Sequence, residues 1–96
     1  MVKHMIIWKL KECATSDCKA QIKRELEGLV GKIDGLIEMH IHTDALECSS
    51  GDLAMESLFE SVDALEFYQK HPLHIEIANG LVRPNAEIRL SFDFEV

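Results

Sequence analysis

The sequence predicts an α+β domain in which two helices cover one face of a four-stranded antiparallel sheet. Three observations support this prediction. Four segments carry strand-like apolar patterns, two segments carry helical ones, and the chain of 96 residues has the length of one domain. Residues 1–96 are therefore expected to form a single domain, without a linker or a repeat.

The first strand and the first helix follow from the pattern of apolar residues. Residues 2–10 alternate but are apolar on both sides, which is typical of a strand that is covered on both faces. Thr15 then offers an N-cap, and apolar residues recur at helical spacing after it. Gly31 and Gly35 indicate the end of this helix, which is expected over residues 16–32.

Two more strands follow in the middle of the chain. Residues 36–43 alternate with period two, which predicts a strand that directs Ile37, Met39 and Ile41 towards the core. A stretch rich in turn residues separates this strand from the next one, which is expected over residues 53–59.

The last third of the chain predicts a broken helix and a final strand. Ser61 is an N-cap candidate, and Pro72 interrupts the helix that follows it, because proline lacks the N–H that a helix interior uses. A second helical segment is expected over residues 72–79, ending at Gly80. Residues 88–96 alternate clearly and predict the fourth strand.

These segments occur in the order β-α-β-β-α-β, the split β-α-β or ferredoxin-like arrangement, in which both helices pack on one face of the sheet. The opposite face keeps apolar residues such as Met5 and Ile7. An uncovered apolar face favours self-association, so we expect a homodimer in which two sheets form a dimeric α+β barrel. The 47% of hydrophobic residues also exceeds what one small core hides.

Composition argues against two classes of partner. Seventeen acidic residues against ten basic ones give a net charge of −7, which disfavours nucleic acid. No apolar stretch approaches the roughly 18–20 residues that a membrane-spanning helix needs, so no membrane partner is expected. The three cysteines cannot all pair within one chain, and we expect free thiols in a cytoplasmic protein.

Tyr68, His71, Pro72 and His74 form the motif Tyr-x-x-His-Pro-x-His. Through this motif the chain resembles the stress-responsive dimeric α/β-barrel (Dabb) family, which includes a plant polyketide (olivetolic acid) cyclase. The resemblance covers nearly the whole chain and implies the same fold and a dimer. Its further landmarks are Val2-Lys3-His4, Leu29-Val30-Gly31-Lys32-Ile33 with Gly35-Leu36, Phe59-Glu60-Ser61 and Val82-Arg83-Pro84.

The resemblance implies catalytic roles for two residues of the motif, because the corresponding tyrosine and last histidine of the plant cyclase are catalytic. Carried over, His74 would be the general base that removes a proton next to a carbonyl, and Tyr68 would orient the substrate. His4 would support them with a hydrogen bond. The residue types suit these roles, since imidazole exchanges protons near neutral pH and a phenol polarises a carbonyl oxygen.

The candidates for contact with a ligand are His4, Trp8 and His71, and each has a structural alternative. A histidine at a covered strand position, such as His4, is often a hydrogen-bonded core residue. Trp8 is expected in the core or in a pocket wall. His71 precedes a proline and can cap the helical segment that follows. Tyr68 and His74 could likewise be packing residues of an amphipathic helix.

The sequence leaves two metal hypotheses open, and no cofactor is expected otherwise. In some members of the family, backbone carbonyls at the end of the first helix hold Mg²⁺, and the corresponding residues are Val30, Ile33 and Leu36. Carbonyls at a helix C-terminus lack partners and carry negative dipole charge, which attracts a cation. His40 and His42 share one side of a strand as a possible metal pair, although a solvated strand face is the preferred interpretation.

Two functions remain possible from the sequence. The preferred one is a small homodimeric stress-responsive A/B barrel protein of unassigned chemistry, with an apolar small-molecule pocket between sheet and helices. The alternative is a cofactor-free cyclase or lyase that acts on a small apolar or aromatic carbonyl compound through His74 and Tyr68. Fold alone does not distinguish them, because related barrels support different activities.

Overall fold

The computed structural model describes residues 1–96 and contains one sheet with helices on one of its faces. The strands are β1 (Val2–Leu10), β2 (Leu36–His42), β3 (Leu53–Phe59) and β4 (Ala86–Glu95). The helices are α1 (Ser16–Glu27), α2 (Val62–Lys70), α3 (Pro72–Ile77), a π-helical segment (Ala78–Val82) and the short α4 (Arg83–Asn85). All strand pairs are antiparallel, in the order β2-β3-β1-β4. The predicted ferredoxin-like fold is confirmed.

The core lies between the sheet and the helices. Alternate residues of β1 are buried on this side, from Val2 to Leu10, and Phe59 and Ile22 are fully buried against them. The remaining residues of β1 lie on the other side of the sheet, where Ile7 is 50% exposed. No helix in the molecule is both long and apolar enough to cross a membrane.

We call the uncovered side of the sheet the open face. Its apolar part is formed by β1 and β4, which pair in register there, with Met5 opposite Phe92 and Ile7 opposite Leu90. Phe92 is 69% exposed and Leu90 is 65% exposed. Side chains of this size are seldom exposed together on an isolated domain. The apolar members of the open face on these strands are Met5, Ile7, Ile88, Leu90, Phe92 and Phe94.

The first helix begins as predicted but ends earlier. The Thr15 hydroxyl accepts a hydrogen bond from the Cys18 N–H at 3.1 Å and forms the N-cap. The expected helix over residues 16–32 was too long, because α1 ends at Glu27. Beyond it, the N–H groups of Leu29 and Val30 bond to carbonyls three residues back rather than four, which tightens the chain into turns.

A bulge changes the prediction for the second strand. Leu36 pairs with Phe59 and the next paired residue, Glu38, lies opposite Leu58, so Ile37 is an extra residue without a partner. Consequently Leu36, and not Ile37, occupies the first core position of β2. Simple alternation failed here because one inserted residue reverses the side to which its neighbour points.

The helical region after Pro72 is longer than predicted. The expected end at Asn79-Gly80 was wrong, because both residues lie inside the π-helical segment and the chain stays helical up to Asn85. Leu81 and Val82 pack on the core within this stretch, so their burial outweighs the local turn preference of Asn and Gly. The side chain of Asn85 donates to the Leu81 carbonyl at 2.7 Å.

The last strand begins two residues before the predicted start and has two different sides. Lys9 pairs with Ile88 and Leu10 with Ala86, so Glu87 is an extra residue at a register shift. Beyond this shift, Arg89 lies opposite Trp8 and therefore faces the helices. β4 thus contributes to the core side with one set of residues and to the open face with the other.

Two side chains of α1 bind the free edge of the sheet. β2 is an outer strand, and Ile41 has backbone groups that no strand pairs. The Glu27 carboxylate accepts the Ile41 N–H at 2.8 Å, and the Lys23 ammonium donates to the Ile41 carbonyl at 2.8 Å. Lys23 also donates to Glu27 at 2.8 Å. This arrangement, which we call the edge clamp, holds α1 on the sheet and covers an otherwise open edge.

Candidate functional site

A cavity of about 410 Å³ lies between the helix-facing side of β1 and β4 and the helical region that follows α2. Nine of its fourteen lining residues are hydrophobic, so a bound molecule would rest mainly against apolar groups. Ligand sites in proteins combine such a wall with a few polar groups. The other five lining residues are Gln69, His74, Arg83, Glu87 and Arg89, and Tyr68, which is one of the nine, adds a hydroxyl group.

Tyr68 reaches the cavity from α2. Its side chain is buried, and its ring lies 5.0 Å from the ring of Phe59 and 4.2 Å from that of His74, measured between centroids. Burial raises the pKa of the Tyr68 phenol strongly, and the positive charge of Arg89 opposes this rise only in part. The phenol therefore stays protonated at neutral pH and can donate a hydrogen bond to a ligand.

His74 reaches the same cavity from α3. Its Nδ1 is 3.3 Å from the Gln69 carbonyl, to which it donates in the neutral ring, and the lone pair then lies on Nε2. Burial is the main cause that lowers the pKa of His74, and the positive charges of His4, Arg89 and Arg83 lower it further. The hydrogen bond to Gln69 opposes this change. The ring is consequently neutral near pH 7, the form in which it can accept a proton.

His4 lies behind this pair. It is buried at 3% exposure on β1, and its Nδ1 contacts the carboxylate of Asp93 on β4. The backbone carbonyl of His4 accepts the Ser57 hydroxyl at 2.7 Å. The His4 ring does not line the cavity, so the expected support of a ligand by this histidine stays a prediction.

Trp8 forms part of the cavity wall. Its side chain is buried, and its Nε1 is the only buried side-chain nitrogen or oxygen of the molecule without a hydrogen-bond partner. An unpaired buried N–H of this kind costs roughly 1–3 kcal/mol. This nitrogen is shielded from solvent, so Trp8 contributes to the cavity wall as an apolar surface.

His71 lies outside the cavity. Its Nδ1 accepts the Leu73 N–H at 3.1 Å, which makes it the N-cap of α3, and its ring packs edge-on against Phe67 at 5.5 Å. The structure thus places His71 where the capping alternative expected it. Its predicted contact with a ligand has no support from the lining of this cavity.

The expected magnesium ligands Val30, Ile33 and Leu36 lie in the loop after α1 and at the start of β2, rather than at a helix end. The Ile33 carbonyl already accepts the Leu36 N–H at 3.3 Å. No group of three histidine, cysteine or acidic residues that could hold a metal ion occurs in the molecule. A magnesium ion held by these backbone carbonyls stays a prediction, and we derive no reaction step through a metal.

The histidine pair of β2 lies on the exposed open face. His42 Nε2 is 2.8 Å from a carboxylate oxygen of Glu56, and His40 Nε2 is 3.7 Å from one of Glu38. Each imidazole therefore has its own carboxylate, and the two do not converge on a common point with a third ligand. This arrangement agrees with the preferred interpretation of a solvated strand face.

Sequence reasoning did not identify the two arginines of the cavity. Arg83 belongs to a family landmark, and Arg89 is a polar residue between the apolar residues Ile88 and Leu90 of the predicted last strand, a pattern that assigned no function to either arginine. The position of Arg89 became informative only through strand pairing, which places this residue opposite Trp8 on the side of the helices. A basic residue on the helix-facing side of the fourth strand is the signal that could have found it.

The fold and the cavity define a ferredoxin-like domain with one open sheet face and a mainly apolar cavity under its helices. The chain belongs to the stress-responsive A/B barrel domain (Dabb) family, whose model matches residues 2–96. The predicted family membership is confirmed. Among curated proteins, a sequence search finds no significant match.

Solved structures share this fold at low sequence identity. A protein of Arabidopsis thaliana is 24% identical with a TM-score of 0.87, and the match covers 100% of this chain and 95% of that one. A dimeric ferredoxin-like protein of unknown function from Thermobifida fusca is 23% identical with a TM-score of 0.86, covering 99% and 90%. A hydroxynitrile lyase from Passiflora edulis is 20% identical with a TM-score of 0.85, covering 99% and 92%.

Proposed function

We propose that this protein binds a small apolar or aromatic carbonyl compound in the cavity beside Tyr68 and His74. The observation that carries the proposal is the convergence of these two rings, 4.2 Å apart, in one predominantly apolar cavity. The volume of about 410 Å³ falls in the range of small-molecule sites. The apolar wall supplies binding energy, and the polar pair gives the ligand its orientation.

The phenol of Tyr68 supports the choice of a carbonyl compound. It stays protonated at neutral pH and lines the cavity, so it can donate a hydrogen bond to an oxygen of the ligand. A ligand oxygen is the natural complement of this wall.

The binding proposal can be tested by thermal shift with 2-acetylnaphthalene, a bicyclic aromatic ketone. A ligand that binds the native state raises the melting temperature by mass action. We expect a shift in the wild type that is reduced in Tyr68→Phe, which removes only the hydroxyl. His71→Ala is the matched control outside the cavity and should keep its shift. No shift in the wild type, or equal shifts in both variants, would contradict the proposal.

A second candidate function is proton transfer without a cofactor. It is favoured by the neutral His74, whose Nε2 is free to accept a proton, next to a phenol that can donate to an oxygen. His74 would remove a proton from the carbon next to the carbonyl while Tyr68 stabilises the negative charge that develops on the oxygen. The Passiflora edulis protein of the same fold is itself described as a hydroxynitrile lyase.

Exchange of hydrogen for deuterium on the ketone distinguishes catalysis from binding alone. In D₂O, NMR would follow loss of the methyl signal of 2-acetylnaphthalene. We expect exchange above the buffer rate that His74→Gln abolishes and Tyr68→Phe slows by about 10–100-fold. Binding without exchange in the wild type would retain the first function and exclude His74 as a base for this ketone.

We also propose that the chain forms a homodimer through the open face, and that it is cytoplasmic. Three structures with this fold are described as dimeric. The exposed phenylalanines and leucine of β4 give the open face the apolar character that an interface needs. Three free cysteines, two of them exposed, are compatible with a reducing compartment.

A further inference from the structure

Two arginines stand in the wall of the cavity, beside the polar pair of Tyr68 and His74. Arg83 belongs to α4 and Arg89 to the helix-facing side of β4. Neither guanidinium lies within 4.0 Å of a carboxylate, since each of the five ion pairs of the molecule involves another cation. Both residues are exposed, so the wall of the cavity carries two solvent-accessible permanent positive charges without a carboxylate partner.

The charges that surround the arginines leave a local positive excess. Glu87 lines the same cavity, whereas Asp93, on the same side of β4, is engaged with His4. The cavity wall therefore carries two positive charges and one negative charge, in a chain whose net charge is −7. The molecule as a whole repels anions, and the arginine side of this cavity is a place that attracts one.

Both arginines are close enough to act on the polar pair. The charge of Arg89 works against the raised pKa of Tyr68, and Arg89 and Arg83 both lower the pKa of His74. An anionic group bound by the guanidiniums would consequently lie near the proposed reaction centre. Guanidinium groups bind carboxylates through paired hydrogen bonds, which fix orientation as well as charge.

We propose that the cavity selects an aromatic acid in its carboxylate form, with the carboxylate held by Arg89 and Arg83 and the ring against the apolar wall. This proposal rests on the proposed function, because it names the substrate class of the same cavity. It adds a charged anchor to a site otherwise defined by a phenol and an imidazole. The carbonyl that faces Tyr68 and His74 would then be a second group of the same ligand.

The test compares 2-naphthoate with 2-naphthamide, which have nearly the same shape and differ in charge. Dissociation constants are measured by calorimetry at pH 8, where the lowered pKa of His74 keeps that ring neutral. We expect naphthoate to bind the wild type at least about tenfold more tightly than naphthamide. Arg89→Gln should remove most of this preference by weakening the binding of naphthoate, and its thermal unfolding transition shows whether the variant is folded.

Arg24→Gln is the matched control, since it removes the same charge from an exposed position of α1 that does not line the cavity. Arg83→Gln is a second cavity variant should Arg89→Gln not fold. Equal affinities of the wild type for both probes, or an unchanged preference in both cavity variants, would overturn the carboxylate proposal and leave the cavity proposal intact. Failure of both probes to bind would overturn both proposals.

Discussion

His74 illustrates how burial, assisted by nearby positive charges, prepares a residue for proton transfer. Removal from water disfavours the charged imidazolium, so the pKa of His74 falls below its usual value. The same removal from water raises the pKa of the neighbouring Tyr68, so its phenol stays protonated. One environment thus yields a proton acceptor and a proton donor side by side, without a charged partner for either.

The lowered pKa of His74 predicts a loss of stability in acid. Between the folded and unfolded pKa values the unfolded chain binds more protons, so this contribution is complete above pH 6.5 and decreases as the pH falls. His74→Gln cannot titrate and should show a shallower decrease of unfolding free energy between pH 7 and 5. The difference in slope is at most about 1.4 kcal/mol per pH unit. Urea unfolding at several pH values measures it, and parallel curves would contradict the prediction.

Two glycines in the loop between α1 and β2 allow the energetic cost of backbone strain to be measured with and without a steric clash. Gly31 and Gly35 both have φ near +90°, a region that residues with a Cβ rarely adopt. A Cβ on Gly35 would lie 2.6 Å from the Cβ of Ala64, whereas one on Gly31 would meet nothing within 4 Å.

Gly31→Ala should therefore cost about 1 kcal/mol of unfolding free energy, and Gly35→Ala at least about 2 kcal/mol, because the clash adds to the strain. Chemical denaturation of both variants gives the comparison. Equal losses would mean that α2 moves away freely from the loop and that the close approach at Ala64 has no energetic weight.

At the scale of elements, the edge clamp connects one helix to one outer strand through a single carboxylate. Burial by itself would raise the pKa of Glu27, but the hydrogen bond from the Ile41 N–H and the Lys23 ammonium together lower it. The ionised form is therefore the one that the fold stabilises. Its contribution is present above the unfolded pKa of about 4.3 and is lost as the pH falls through the folded pKa.

Glu27→Gln should accordingly destabilise the protein by about 1 kcal/mol at pH 7, because a charged acceptor of two hydrogen bonds is replaced by a neutral one. The difference from the wild type should shrink towards pH 3, where Glu27 is itself protonated. Glu25→Gln, on the exposed side of the same helix, is the control and should change stability by less than about 0.5 kcal/mol. A constant difference between pH 7 and pH 3 would argue against the clamp.

Local sequence patterns predicted well those elements whose bounds depend only on residues that are near in sequence. β1 and β3 have the predicted bounds, and the Ser61 hydroxyl accepts the Ala64 N–H at 3.1 Å as the predicted N-cap. The failures have a common cause in tertiary packing. The bulge at Ile37 depends on pairing with β3, and the π-helical segment depends on the burial of Val82, and neither leaves a mark in local periodicity.

The candidate site was predictable in part for the same reason. Tyr68 and His74 belong to a motif with regular spacing, and the structure brings their rings together. His71 belongs to that motif as well, but the helix break at Pro72 turns it away from the cavity into a cap. Arg89 is distant from all of them in sequence, and only strand pairing places it in the wall.

For the whole molecule, the apolar open face raises the question of whether the chain is a monomer or self-associates. Phe92 on β4 is 69% exposed there, while Phe67 on α2 is 52% exposed on the helical side. The two side chains are chemically identical and lie on opposite layers of the domain. They therefore allow a matched test of which surface associates.

Phe92→Asp should weaken the homodimer at least about tenfold, because it places a charge in the apolar interface that we propose. Phe67→Asp should leave self-association unchanged. Sedimentation equilibrium over a range of concentrations measures both dissociation constants. A wild type that remains monomeric at high concentration, or an effect confined to Phe67→Asp, would overturn the assignment of the open face.

The two sides of β4 have a consequence for how the protein would respond to its ligand. Arg89 points into the cavity and Leu90 onto the open face, so one strand belongs to both surfaces. If ligand binding displaces β4, the dimer contact that we propose on its other side is displaced as well, and the converse also holds. Thermodynamic reciprocity then requires that the factor by which the ligand alters dimer affinity equals the factor by which dimerisation alters ligand affinity. The apparent affinity for a ligand should consequently vary with the concentration of the protein itself.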